Sequence, residues 1–179
     1  MAISQCWKLS AAAYFADFVF TPLWAAAALW LSPWSLSWCL LGALLWSLLE
    51  YGLHRFSFHR QLRRAHWTHH AAPRDYIGVS GWWVSLLLAA LLGLALATDL
   101  GALFAGFALA YQAYLLAHYL MHRPESRWHP LVRGLARNHD LHHRHGVEKN
   151  FGVTSPLWDH LLGTYFPPAA MLFETSRIR

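Results

Sequence analysis

An all-α integral-membrane fold is predicted for this chain: four transmembrane helices in two hairpins, with a cytosolic histidine-rich helical cap. Three observations predict it. Four apolar runs each approach the ~20 residues that a helix needs to cross a bilayer. Turn residues separate the two runs of each pair, and nearly all basic residues fall in the tracts after the second and fourth runs. With 56% hydrophobic residues and a mean hydropathy of +0.26, the chain is too apolar for an ordinary soluble globule.

The first run, 11–31 (AAAYFADFVFTPLWAAAALWL), is interrupted by Asp17 and Pro22. No small-residue cleavage site leads into a soluble segment and three more runs follow, so it reads as a retained span rather than a secretory leader. The second span is expected over 34–53, with Pro33 in the turn before it. The third covers 81–97 and the fourth 100–121, joined by Thr98-Asp99-Leu100-Gly101; both connectors are tight-turn chemistry. The tracts 54–80 and 122–179 are left to form the cap. In the second of them Trp128, Leu131, Val132 and Leu135 have helical spacing, and 151–166 mixes apolar residues with Gly152, Pro156 and Gly163. Residues 1–179 are expected to make a single domain without an internal repeat. Trp30, Trp34, Trp38, Trp82 and Trp83 sit near span ends, where an indole meets both lipid and water. Cys6 and Cys39 suit neither a disulfide nor a thiolate metal site.

The net charge of +5 could suggest nucleic acid, but its distribution points to a membrane. Of 14 Lys and Arg, five lie in 54–80 and eight in 122–179, with Lys8 alone elsewhere, and the far-side connectors have none. By the positive-inside rule the amino terminus, the carboxyl terminus and both polar tracts face the cytoplasm, a parity that four spans satisfy. No nucleic-acid partner is expected.

The thirteen histidines are clustered. His54 and His59 form H-x(4)-H; His66, His69 and His70 form H-x(2)-H-H; His118 and His122 form H-x(3)-H; His139, His142 and His143 form a second H-x(2)-H-H. Helical residues three and four apart share a face, so the last three sets can each aim their imidazoles one way. Residues five apart stand about 140° apart around an α-helix. His54 and His59 are therefore expected to serve two neighbouring centres, unless one of them follows the helix end. Neutral imidazole binds a transition metal through one ring nitrogen while the other donates to an acceptor. Ten such residues suit two divalent ions. Glu50, one turn before His54, and Asp140 are candidate acceptors for an imidazole N–H; His145 is a candidate neighbour of the site. His129 and His160 read as structural or surface residues, Asp159 as a buried hydrogen-bonding group, and Tyr76 and Trp158 as packing residues, with lining of a substrate path as their alternative role.

The Glu-x-x-His pattern of carboxylate di-iron bundles does not occur here, and a zinc hydrolase uses about three protein ligands rather than ten. Nitrogen-only ligation admits iron, copper or zinc. Iron is the choice where oxygen must be activated against a substrate with no hydrolysable bond.

The order of the four histidine sets, together with "EYGLHRFSFH", "AHYLMH" and "NFGVTSPLWDHLLGTYF", resembles the fatty acid hydroxylase / sterol desaturase superfamily of membrane di-iron oxygenases. Within it the chain is most similar to fatty acid 2-hydroxylases acting on sphingolipid acyl chains. The resemblance spans about Glu50 to Phe166. It implies a four-helix anchor with a cytosolic metal cap, two iron ions (with zinc able to replace them in purified protein), O2 as cosubstrate, and hydroxylation of a lipid C–H bond. It carries metal-ligand roles to His54, His59, His66, His69, His70, His118, His122, His139, His142 and His143. The segment between His59 and His66 is shorter than expected of eukaryotic members. No fused b-type cytochrome is expected, so electrons would come from a separate carrier, a b-type cytochrome or a ferredoxin with its reductase. H-x(3)-H at His118 and His122 favours the acyl-lipid branch over carotenoid hydroxylases. Sterol, carotenoid or other isoprenoid hydroxylation or desaturation is the alternative enzyme reading, and metal binding or transport the non-enzymatic one.

Overall fold

The computed structural model describes residues 7–126, 129–145 and 148–167; Cys6, Trp128 and the side chain of His145 lie outside the described set. Helix α1 (Ala11–Leu31) starts where Ser10 Oγ accepts the Ala13 N–H at 3.2 Å, a side-chain cap for an orphan donor. Helix α2 (Leu36–Gly52) starts in the same way, with Ser35 Oγ accepting from Trp38 N–H at 3.4 Å. It runs on without a break into a π-helical segment, Leu53–Gln61. Helix α3 (Arg63–Ala71) follows, then α4 (Gly81–Ala97) and α5 (Gly101–Met121). The α4–α5 turn closes with Leu100 N–H on the Ala95 carbonyl at 2.8 Å and Asp99 at φ 57°. A 3-10 turn, Pro124–Ser126, then helix α6 (Pro130–His145) and the short α7 (Leu157–Leu161) complete the described helices.

Three helical stretches, Ala11–Leu31, Leu36–Gln61 and Gly101–Met121, are long and apolar enough to cross a membrane. Helix α4 is apolar along its length but has 17 residues. The helices pack inside out relative to a soluble protein. Small residues such as Ala25, Ala28, Ala105 and Ala108 are buried at the centre with Trp46, Leu88, Phe104 and Tyr111, whereas Leu40, Leu44, Trp83, Leu86 and Leu94 are exposed on the outside. Apolar side chains facing outward suit lipid as solvent.

Helix α5 lies against both α1 and α2, and α1 also against α4. The α2–α5 approach is a backbone contact: a Cβ at Gly106 would stand 1.9 Å from the Cys39 carbonyl oxygen, and one at Gly42 2.0 Å from that of Leu103. Small residues at such crossings let membrane helices close to van der Waals distance. Within this layer Asp17 of α1 is buried and accepts the Tyr111 hydroxyl hydrogen of α5. The crossing fixes how α2, continued by the π-helical segment, and α5 present their histidines at one end of the bundle, where α3, α6 and the segment 148–167 gather.

Candidate metal centre

The structure brings nine of the ten box histidines into two adjacent groups. His54, His59, His66, His70 and His142 make the first; His69, His122, His139 and His143 make the second; within each, the nitrogens able to bind a metal all lie within 4.8 Å of one another. The tenth, His118, sits beside the second group, its Nε2 3.2 Å from His122 Nε2 and its ring centroid 4.8 Å from that of His69. The groups touch through the His70 and His143 rings, stacked at 4.1 Å.

One expectation is corrected. His54 and His59 serve the same group, because the segment between them is π-helical and not α-helical. A π-helix bonds i to i+5, as Leu62 N–H does to the Ser57 carbonyl at 2.8 Å, so residues five apart line up on one face. The H-x(2)-H-H sets, by contrast, are split by their α-helices: α3 gives His66 and His70 to the first group and His69 to the second, and α6 gives His142 to the first and His139 and His143 to the second.

The donor set fits two cations. His66 Nε2 lies 3.1 Å from His54 Nε2, 3.1 Å from His59 Nε2 and 2.9 Å from His70 Nε2. A ring nitrogen presents either one hydrogen or one lone pair, so His66 Nε2 can make one well-formed N–H···N bond, and these three contacts cannot all be hydrogen bonds. In the second group His139 Nε2 is 3.1 Å from His122 Nε2 and 3.0 Å from His143 Nε2, and His69 Nε2 is buried with no hydrogen-bond partner among the described residues. Protonation does not relieve the crowding. Burial, aided by neighbouring imidazoles, pushes His66, His69, His139 and His143 well below the usual histidine range. Burial also lowers His70 to about 4, and lowers His142 to about 3 against the opposing bond to the Lys149 carbonyl. Converging lone pairs on neutral rings are what a metal ion of the nitrogen-binding class requires.

A short strap, Lys149–Thr154, braces the first group from outside. The Lys149 carbonyl accepts from His142 Nδ1 at 2.7 Å and the Phe151 carbonyl from His54 Nδ1 at 2.6 Å. The hydrogen on Nδ1 leaves each Nε2 as a bare lone pair turned inward. Two carboxylates hold the strap's amides. Asp159 accepts from Phe151 N–H and Gly152 N–H, both at 2.8 Å; Glu50 accepts from Val153 N–H at 2.7 Å, Thr154 N–H at 2.9 Å and Thr154 Oγ1 at 2.6 Å. Glu50 therefore bonds the strap, where the sequence suggested an imidazole N–H. Asp140 is half-buried beside His139 and belongs to neither group. His160 stacks on Tyr165 at 3.8 Å and His129 is exposed, both apart from the two groups. Trp158 Nε1–H donates to Ser47 Oγ at 3.1 Å, and Tyr76 packs on Tyr14 and Phe15, as packing residues do. The carbonyls of Lys149 and Phe151 were invisible to residue-type reasoning, since any residue supplies one. The nearest signal was the run Asn150-Phe151-Gly152 ahead of Asp159.

Apolar helices long enough to span a membrane that end in two groups of converging imidazoles, buried or half-buried, define an integral-membrane protein with histidine clusters that could hold metal ions. The family description fatty acid hydroxylase matches residues 39–164, and the chain belongs to that family. It is 33% identical over 138 residues to a dihydroceramide fatty acyl 2-hydroxylase of Arabidopsis thaliana, covering 69% of this chain and 58% of that one. It is 35% identical over 156 residues to a ceramide very long chain fatty acid hydroxylase of Saccharomyces cerevisiae, covering 73% and 38%, and 30% identical over 152 residues to human fatty acid 2-hydroxylase, covering 72% and 39%. The matched segment thus spans 58% of the Arabidopsis relative and under half of the other two. A solved structure of full-length scs7p, with only its hydroxylase domain visible, superposes with a TM-score of 0.67 at 30% identity, covering 87% of this chain and 67% of that one.

Proposed function

We propose that the protein is a membrane-bound, O2-dependent di-iron hydroxylase of a fatty acyl chain, attacking the carbon next to the acyl carbonyl. The observation that carries this is the double group of inward-turned, uncharged imidazoles in a chain whose relatives are fatty acid and ceramide hydroxylases. His54, His59, His66, His70 and His142 would hold one ion; His69, His122, His139 and His143, with His118 alongside, would hold the other. Two irons, when bound, supply the O2 activation that an unactivated C–H bond demands. The chain's own residues do the rest. Imidazole Nε2 atoms hold the ions, the strap carbonyls fix ring tautomers, and the burial of His54, His139 and His142 keeps bulk water from the cage.

In this reading α1, α2, α4 and α5 are four spans of one domain, with the cage, both termini and the basic tracts on the cytosolic side. Electrons arrive from a separate carrier protein. Expression in a host that lacks acyl 2-hydroxylation, followed by lipid mass spectrometry, tests the assignment. The expected result is acyl lipids heavier by one oxygen at the 2-position, abolished by His66→Ala and retained in His160→Ala. Equal product from both variants, or a new oxygen only on sterols or isoprenoids, overturns it.

A further inference from the structure

The two imidazole groups are not supported alike. In the first, two of five rings have Nδ1 tied to a backbone carbonyl of the strap. In the second, His139 Nδ1 is buried with no hydrogen-bond partner among the described residues. The strap in turn has little freedom. Its four successive amides, 151 to 154, end on only two carboxylates. Asp159 is fully buried and also accepts from Thr164 Oγ1 at 2.8 Å, and Thr164 Oγ1 is 2.9 Å from the Tyr51 hydroxyl on α2. Asn150, at φ 54°, takes Phe166 N–H at 2.8 Å on Oδ1 and gives Nδ2–H to the Phe166 carbonyl at 3.0 Å. A Cβ at Gly152 would stand 2.1 Å from the Ser155 carbonyl oxygen and 2.9 Å from Asp159 Oδ2, so the close approach admits no side chain there.

The geometry points to Glu50 and Asp159 as positioning residues that act through the strap to make the first imidazole group the tighter of two unequal metal sites. This rests on the reading of the two groups as metal ligands. The physical route is short. Asp159 holds the Gly152 amide of the peptide whose carbonyl, that of Phe151, takes His54 Nδ1–H; through Thr164 Oγ1 it also steadies Thr164, whose carbonyl takes the Asn150 N–H at 2.9 Å in the peptide that offers the Lys149 carbonyl to His142. Glu50 pins the next two amides, and the two aimed carbonyls select the Nδ1–H tautomer that leaves Nε2 free for the ion. An amide in place of either carboxylate would turn an NH2 toward backbone N–H donors and force the strap to shift. Groups that orient ligand histidines typically change metal affinity by about 10–100-fold when altered.

Metal-stripped full-length protein in detergent, titrated with Zn2+ against a competing chelator, tests this. The wild type is expected to bind in a tight and a weak phase, with His142→Ala weakening the tight one and His143→Ala the weak one. Two phases alone would also follow from unequal donor number, so the deciding measurement is Asp159→Asn. It is expected to weaken the tight phase about 10–100-fold and leave the weak phase in place, whereas general loosening of the cap would weaken both. Thr154→Val, which removes one of three donors to Glu50 and keeps both carboxylates, should shift the same phase in the same direction by less, and remains informative if Asp159→Asn does not fold. Equal loss from both phases, or no change in either, overturns the inference. A wild type that binds no Zn2+ instead overturns the metal-ligand reading beneath it.

Discussion

The spanning half and the cap half of this molecule are held together by opposite means. Between the spans, contact is made by what is missing: glycines at 42 and 106 let two backbones touch, alanines fill the centre, and the bulky leucines and tryptophans face outward. In the cap, contact is made by pairing. Glu50, Asp159 and Asn150 are buried; Glu50 and Asp159 each accept two or more hydrogen bonds from the strap, and Asn150 accepts from Phe166 N–H and donates to the Phe166 carbonyl. The difference follows from the solvent. In lipid, apolar side chains gain nothing by clustering, so close packing decides association; in the cap, burying a carboxylate or amide is costly unless it is hydrogen-bonded.

The strongest way to break the spanning half is Gly106→Leu. A side chain at a position where even a Cβ would lie 1.9 Å from a backbone carbonyl must push α2 off α5, at a cost of ~3 kcal/mol or more. Because these two helices lead to imidazoles of both groups, metal content should fall with folded yield, measured by metal analysis on the monodisperse fraction from size exclusion.

Stripping the metals should break the cap and spare the spans. At a free ion concentration of ~1,000 Kd, a bound ion contributes ~4 kcal/mol, so chelation should lower the melting temperature while far-UV circular dichroism keeps the signal of the spanning helices. The stripped protein should also lose stability on acidification. An unfolded histidine takes a proton near 6.5, whereas folded His70 does so only at about 4 and His142 at about 3. The unfolded state therefore gains protons first, and the stabilisation present above about 6.5 is lost as the pH falls from there toward 4. Thermal melts across that range check the sign.

Tyr111→Phe probes a buried carboxylate tie between α1 and α5. It removes the hydroxyl donor to Asp17, whose other oxygen is buried with no partner among the described residues; a loss of ~1–3 kcal/mol is expected, read from denaturant or thermal unfolding in detergent. Gly93→Ala is the matching control, since nothing lies within 4 Å of its Cβ position, and no loss of stability is expected.

These contrasts also explain what was legible beforehand. Helices α1 and α4 have the expected limits, 11–31 and 81–97, since an apolar run bounded by turn residues announces its own ends. The histidine sets were legible because residue type and spacing together carry the chemistry. Asp17 was visible only as an interruption of an apolar run; its partner Tyr111 is 94 residues away. Glu50 was singled out, but its bonds go to amides more than 100 residues later, and an amide has no sequence signature. The expectation that His54 and His59 serve two centres failed for a different reason: spacing gives a direction in space only once the number of residues per turn is known.

That last point reaches beyond one pair of rings. The chain writes the same side-by-side couple in two pitches: four intervening residues where the backbone is wound wide, as between His54 and His59, and three where it is wound tight, as between His118 and His122. Removing one residue from 55–58 should therefore convert the wide coil to the tight one and still deliver both rings to the same side, whereas adding one should scatter them.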